Sequence, residues 1–515
     1  MPILSIREFG TKGLNSDVSP WELPAGYITE GQNFRVTGGR LVSFGSYSTV
    51  TNLPGDLDPA FLYYVNAEAE YWVVIGTDNV YEYDGTQFTI ITTPRSISGT
   101  DEHLWTGTNL GRLPIFNNPT DFPVWWGPGD AGFSDLPFDA GNTWAEKNFR
   151  CRSMRSFRNY LIAMNMSEVA GIYTDVIRWS DPADSGGLPV SWDDTDPNTR
   201  ANKVVLGGNG GDIIDGLALR DSFIVYRERG ISVMDYVGGD YVFRIRHLTT
   251  TQACVNTNSL VEVKGLHYFI SDGDICYTDG NTVESLIHNK FRIAFRNRYN
   301  QAARETSFAV HNRYIKEIWF CVAENESTHA NTAYIYNYRD DTWAQRDLPD
   351  VVYADYGQLG TSEETWDSAV GSWDTDPLRW DAGQATPFNE SMLGVLAGAP
   401  GKLVKLDQAD NVEDRFRTVV ERTDFPIDGH DEVVSIQSIY PFISGGSKVV
   451  IQAGSQDYTG GPVRWKPPAT FLPGHQRKVD IRTTGSLFAF RVESDEPGGF
   501  ALVGMDVEYV PAGRR

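Results

Sequence analysis

An all-β fold, an irregular β-propeller of about six blades with a β-sandwich-like platform built from both chain ends, follows from three features of the 515-residue sequence. The first is the stretch 172–248, in which short β-favouring phrases alternate with turns. Phe223, Val225, Ile231 and Val233 flank Arg229-Gly230 as the two arms of a half-buried hairpin would, and Met234-Asp235-Tyr236-Val237-Gly238-Gly239 leads into Tyr241-Val242-Phe243-Arg244-Ile245. That gives roughly four strands in about forty residues, the size of one propeller blade. The second is recurrence: Tyr83-Asp84-Gly85-Thr86, Thr278-Asp279-Gly280-Asn281 and Tyr338-Arg339-Asp340-Asp341-Thr342-Trp343 each place a polar turn after an aromatic strand. Such self-similarity is the mark of stacked supersecondary units. The third is the turn-rich composition, 50 Gly and 26 Pro, with no sustained helical periodicity; only 288–303 reads as a short helix, lying across a blade.

Taken in order, residues 1–50 do not read as a blade. Two strand phrases, 32–36 and 40–44, are joined by Thr37-Gly38-Gly39, a hairpin turn. Blade phrases then run 61–90, 103–126, 160–179, the unit within 172–248 described above, 260–280 and 308–343. Strand phrases at 392–397 and 402–406 close the ring against the early blade, which removes exposed sheet edges. From 411 the phrases 416–422, 435–443, 448–453, 477–482, 487–492 and 501–509 read as a small sandwich, with 510–515 as a loose tail. The division expected is therefore a platform segment 1–50, a propeller 51–410 and a C-terminal sandwich 411–515.

Composition excludes several classes of function. With 44 basic and 68 acidic residues the formal charge is −24, so the chain as a whole repels a phosphate backbone, and binding to nucleic acid through counterion release is not expected. Cys151, Cys254, Cys276 and Cys321 are far apart in strand-like surroundings, without a C-x-x-C pair, and read as buried free thiols of a protein folded in a reducing cytosol. The start, MPILSIREFG, lacks the features of a signal peptide, and no apolar run is long enough to span a membrane.

Catalytic and cofactor signatures do not emerge. The eight histidines show no metal-ligand spacing, and neither a nucleophile elbow nor a phosphate-cradling loop occurs, so no catalytic residue, cofactor or metal site is assigned. Gly207-Gly208-Asn209-Gly210-Gly211 lies between strands and reads as a turn. Asp193-Asp194-Thr195-Asp196 and the pair Asp272, Asp274 admit a calcium loop or a glycosidase pair, yet turn chemistry explains them as well. Tryptophan-aspartate pairs recur at intervals of seven, at Trp366-Asp367, Trp373-Asp374 and Trp380-Asp381, with Asp376 between them. This acidic aromatic loop either lines a passage or binds a sugar, or is pinned by its indoles to the propeller.

The phrases GLNSDVSPWELPAGYITEGQNFRVTGGRLVSFGSY, IRWSDP, GDIIDGLALRDSFIVYRERGISVMDYVGG, YFISDGDICYTDGNTVESL and VEYVPAGRR occur here in an order that resembles the tail nozzle proteins of short-tailed phages. That family is also called tail tubular protein B or packaged-DNA stabilisation protein. The resemblance covers nearly the whole chain, as phrasing and order without an invariant motif. It implies a virion protein without enzymatic activity, made in the host cytoplasm, with a propeller beside a platform from both chain ends. It also implies a homo-hexameric ring below the portal and adaptor that extends the DNA channel, retains packaged DNA, passes double-stranded DNA without specific binding, and carries tail fibres or tip proteins. Under it, the loops 127–146, 180–200 and 361–390 are candidate gate loops, with Trp366, Asp367, Trp373, Asp374, Asp376, Trp380 and Asp381 as candidate channel residues. The rival expectations are a propeller glycan hydrolase, which needs clustered carboxylates and arginines on one face, and a receptor-binding hub of a tail.

Overall fold

The computed structural model describes residues 2–514 apart from 45, 67–69, 92–96, 98–103, 240, 250–251, 360–389, 399, 408–415, 428–431 and 497–498. Five four-stranded antiparallel sheets follow one another in chain order, each with its strands in sequence order. They are Pro59–Asn66, Glu70–Gly76, Val80–Tyr83 and Phe88–Ile90; Thr106–Leu110, Leu113–Asn117, Val124–Trp125 and Ser134–Asp135; Arg150–Phe157, Tyr160–Glu168, Gly171–Trp179 and Asn202–Val205; Ile213–Leu219, Ser222–Arg227, Gly230–Tyr236 and Phe243–Thr249; Leu260–Val263, Leu266–Ser271, Asp274–Thr278 and Val283–Ser285. These are blades 1 to 5 of a propeller.

The next sheet has seven strands, in the order Phe308–Asn312, Glu317–Val322, Ala330–Asn337, Thr342–Gln358, Glu390–Leu396, Lys402–Lys405 and Ser48–Asn52. It is two blades sharing one strand. Residues 342–347 pair back onto Thr332–Asn337, whereas 351–358 pair forward onto Glu390–Leu396, with Val351 meeting Ala330 as well. Between the two halves Asp350 adopts φ 46°, a left-handed kink that lets the chain leave the outer edge of blade 6 and enter the inner position of blade 7. The count is therefore seven, the upper of the six or seven blades that the repeats suggest. Ser48–Asn52, arriving from the N-terminal segment, supplies the outer strand of blade 7 and covers an edge that would otherwise be open.

Seven blades close into a ring through side chains and turns, because inner strands of neighbouring blades do not pair through their backbones. Leu393, Val395 and Leu403 of blade 7 share a core with Leu62, Trp72 and Val74 of blade 1. The helix Arg292–Arg298 sits after blade 5 as expected. It packs Phe291 and Phe295 on Tyr334 of blade 6, with ring centroids 5.2 and 5.1 Å away.

The platform is two six-stranded sheets that mix both chain ends. In one, Ala501–Arg514 lies between Glu432–Ser444 and Arg40–Ser43, and Ile3–Ile6 pairs on it as well. In the other, Glu30–Gln32 extends Thr418–Pro426, which pairs with Leu487–Ser494. Phe34, Val36 and Leu41 are buried with Val420, Ile436, Phe488, Phe490 and Leu502. Burial of this apolar surface is the main force joining the two ends. The expected hairpin is present, with Gly38 and Gly39 at φ 58° and 70°, the geometry a two-residue primed turn requires.

Two local expectations change. The strand expected at 477–482 falls instead at Thr483–Gly485, preceded by one isolated bridge between Val479 and Ile439. The tail is not loose, because Val433 and Val434 pair with Gly513 and Pro511 and draw the last strand out to Arg514.

Platform and propeller are joined at blade 6. Asn33 and Asp347 exchange two hydrogen bonds, amide Nδ2 to Oδ2 at 2.8 Å and Asp347 backbone N–H to Asn33 Oδ1 at 2.8 Å. The Arg346 guanidinium lies over Phe44 and Trp319 and donates to the carbonyls of Ser46 and Leu406, one on each chain crossing between the two parts. Gly13, at φ 80°, approaches the Trp343 backbone so closely that a Cβ would lie 2.5 Å from its carbonyl oxygen.

Leu403 is fully buried in the core that blade 7 shares with blade 1. Leu403→Ala is expected to cost about 2–5 kcal/mol, read as a lowered urea midpoint; an unchanged midpoint would contradict closure of the ring through that core.

Candidate functional site

The residues that converge from different blades lie on the propeller axis. Inner strands carry alternate side chains toward the axis, and most are apolar, but blade 3 supplies Ser153 and Arg155, blade 4 Asp215, and the entry to blade 5 Asn258. Arg155 grips Asp215 bidentately, Nε to Oδ1 at 3.0 Å and Nη2 to Oδ2 at 2.6 Å. Its remaining donors reach Asn258 Oδ1 at 2.7 Å and the Gly107 carbonyl of blade 2 at 3.1 Å. Ser153 Oγ also donates to Asp215, and the backbone N–H groups of Gly216 and Asn258 donate at 2.8 and 3.2 Å. Asn258 then reaches across the ring: its Nδ2 donates to the Trp105 carbonyl at the entry to blade 2, at 2.7 Å.

Aromatic rings complete the filling. Tyr353 of blade 7 lies 4.5 Å from Phe61 of blade 1 and 4.9 Å from Phe308 of blade 6, and Tyr63 meets Phe116 edge-on at 5.4 Å. All seven blades thus contribute, and the axis at this level is occupied by protein.

Burial by itself raises the pKa of Asp215, but Arg155 and the donors around it outweigh that and hold the carboxyl below its ordinary value. A buried ion pair is stabilising only when its remaining hydrogen-bonding capacity is met, and here it is met from four blades. At the seam between blades 7 and 1, Asp355 accepts from the backbone N–H of Tyr64 and of Tyr356, both at 2.8 Å, and burial pushes it up to about 6.

The positions singled out in the sequence have structural partners. Asp193 accepts from Thr195, Asp194 pairs with Arg178 at 2.9 Å and Lys203 at 3.3 Å, and Asp274 pairs with Arg292 at 2.9 Å. Among the described residues no group of His, Cys, Asp and Glu is placed to hold a metal ion. The glycine cluster is a turn wrapped on Arg227, which donates to the carbonyls of Gly207 and Gly211. All four cysteines are buried and free. His267 is a core residue, its ring nitrogens 3.0 Å from Tyr226 Oη and 2.9 Å from the Ala218 carbonyl, and burial lowers its pKa to about 4.

Of the three loops expected at a gate, 127–146 and 180–200 pack on one another beside blades 2 and 3. Trp144 and Trp192 meet edge-on at 4.8 Å, and buried Arg178 donates to the Trp192 carbonyl. They are held as one small core rather than as free projections. Trp366, Asp367, Trp373, Asp374, Asp376, Trp380 and Asp381 lie outside the described residues.

No protein-family model matches the chain. No curated protein matches it either. Among solved structures, YCF48 bound to a D1 peptide is similar at 12% identity and a TM-score of 0.36, over 72% of this chain and 96% of that one. BBS1N in complex with ARL6DN is similar at 10% identity and 0.40, over 71% and 98%. A chain of the mitotic checkpoint complex is similar at 10% and 0.38, over 70% and 94%. The sheet order described above defines the propeller without them.

Removing one partner of the axial pair leaves a buried charge uncompensated, so Arg155→Met or Asp215→Asn is expected to lower stability by about 3–5 kcal/mol. The double change should cost less than the two single changes summed; additive losses in urea unfolding would argue against direct coupling. Asp355, whose folded pKa is raised, contributes stability that is present below the carboxylate range and is lost as pH rises through about 6. Asp355→Asn should remove that part of the decline in melting temperature between about pH 4 and 6, and an unaltered profile would count against this origin.

Proposed function

We propose that the chain is a structural virion protein of a phage tail, a nozzle subunit that forms a ring, extends the DNA channel below an adaptor, retains packaged DNA and passes it at ejection. The observation that carries the reading is the platform: strands from the first fifty residues and from the last hundred interleave in the same two sheets beside a propeller. That is the arrangement implied by the resemblance of the chain's phrases to nozzle proteins.

A second observation restricts how such a channel is built. Because the Arg155–Asp215–Asn258 cluster fills the propeller axis, the passage in this reading lies between copies around a ring and not through any one propeller. Its walls are outer surfaces of a chain carrying −24, which repel a polyanion from every side and leave it free to slide. The partners in this reading are further copies of the chain, an adaptor or portal ring above, and fibre or tip proteins outside.

Electron-microscope class averages of the purified chain, alone and with a cognate adaptor, test the reading. A six-fold ring with an open centre is expected; particles that remain monomeric with adaptor present would favour a glycan-binding or glycan-cleaving role.

A further inference from the structure

Asn209-Gly210 is the one Asn-Gly pair in the sequence, and it lies in the glycine turn between the outer strand of blade 3 and the inner strand of blade 4. Such a pair is able to modify itself, because the backbone nitrogen of the second residue can attack the side-chain carbonyl carbon of the first. Glycine puts no Cβ in the way and permits the backbone rotation that the attack needs. In a folded chain the reaction then depends on how firmly the side chain and the following peptide nitrogen are held.

At this turn neither is held. Asn209 is exposed, and among the described residues its side-chain amide makes no hydrogen bond, nor does the Gly210 N–H. Gly207 and Gly208 precede it with open space where a Cβ would lie. The four Asp-Gly pairs among the described residues react by the same route but have their carboxylates engaged. Asp84 accepts from the backbone N–H of Thr86 and Gln87, and Asp279 from that of Asn281 and Thr282. Asp272 accepts from Gln301, and Asp215 is gripped by Arg155.

Arg227 determines what a new acid at this position would meet. Its guanidinium is buried, and it donates to the carbonyls of Gly207 at 2.7 Å and Gly211 at 3.1 and 2.9 Å. Among the described residues no carboxylate pairs with it, so a buried cation is satisfied by neutral acceptors alone, an arrangement that leaves its charge uncompensated. The guanidinium lies directly against the residue that follows Asn209: a Cβ on Gly210 would stand 2.5 Å from its Cζ and 2.6 Å from Nε.

We propose that Asn209 is a self-modifying residue that converts to an acid, and that the carboxylate so formed is the counter-charge of Arg227. The Gly210 nitrogen bonds to Asn209 Cγ as the Cγ–Nδ2 bond breaks, and the proton lost from Gly210 leaves with the amide nitrogen as ammonia. Water then opens the cyclic imide, at Cγ to give aspartate or at the main-chain carbonyl to give isoaspartate. One water is consumed, one ammonia is released, and the chain gains one negative charge. The proposal is independent of the tail-protein reading.

Ageing the full chain in mildly alkaline buffer made with heavy-oxygen water, with peptides followed by mass spectrometry, tests the site. Heavy oxygen is expected to enter at residue 209 ahead of every other asparagine, with ammonia released in equal amount. Conversion led by another asparagine of the folded chain, or an Asn209 that stays intact when folded while urea-unfolded chain converts it, overturns the proposal. Asn209→Asp tests the counter-charge separately. An added negative charge on a chain of −24 should on its own lower stability through self-repulsion, so a gain points to a local cation. The variant is expected to melt above the unaged chain at neutral pH, with the gain disappearing on acidification through the carboxylate range. A melting temperature equal to or below that of the unaged chain overturns the role assigned to Arg227.

Discussion

Seven inner strands that share no backbone hydrogen bonds with their neighbours need something else to hold them in register, and here it is the Arg155–Asp215 ion pair with Asn258 beside it. One guanidinium satisfies a carboxylate of blade 4, an amide at blade 5 and a carbonyl of blade 2, and Asn258 extends the network back to Trp105. An apolar axis of the same volume would pack, but it would not distinguish one angular placement of a blade from another. Directional bonds do, at the cost of desolvating two charges. The same network occupies the space between the inner strands of blades 2 to 5.

Covalent continuity sets the second constraint. The chain begins in the platform, crosses to supply the last strand of blade 7, traverses the ring and returns to the platform, so each structural part is completed by strands from both sides of the other. Arg346 sits where the two crossings meet and is bound by a carbonyl from each. It is fully buried, and that burial lowers its pKa to about 9. Motion of platform against propeller would have to break this contact and the paired hydrogen bonds between Asn33 and Asp347.

Propeller and platform were legible because both depend on local signals. Phe223 to Tyr236 announces its hairpin through alternation and turn residues, and Thr37-Gly38-Gly39 does the same. The seventh blade was hidden because 342–358 reads as one extended run, and only the kink at Asp350 divides it. The axial cluster was hidden for a different reason: Ser153, Arg155, Asp215 and Asn258 belong to three inner-strand approaches and form no motif in sequence. A signal did exist, since Asp215 interrupts the apolar run Ile213-Ile214 before Gly216-Leu217, where a charge is expensive without a partner. Loop residues such as Trp144 and Trp192 were read as parts of projections because their mutual packing spans about fifty residues of sequence.

If the axial network couples the blades into one cooperative unit, amide hydrogen exchange followed peptide by peptide on the intact chain and on Asp215→Asn will show it. Protection should fall together in the inner strands of blades 2 to 5; a loss confined to blade 4 would mean that the network does not couple them.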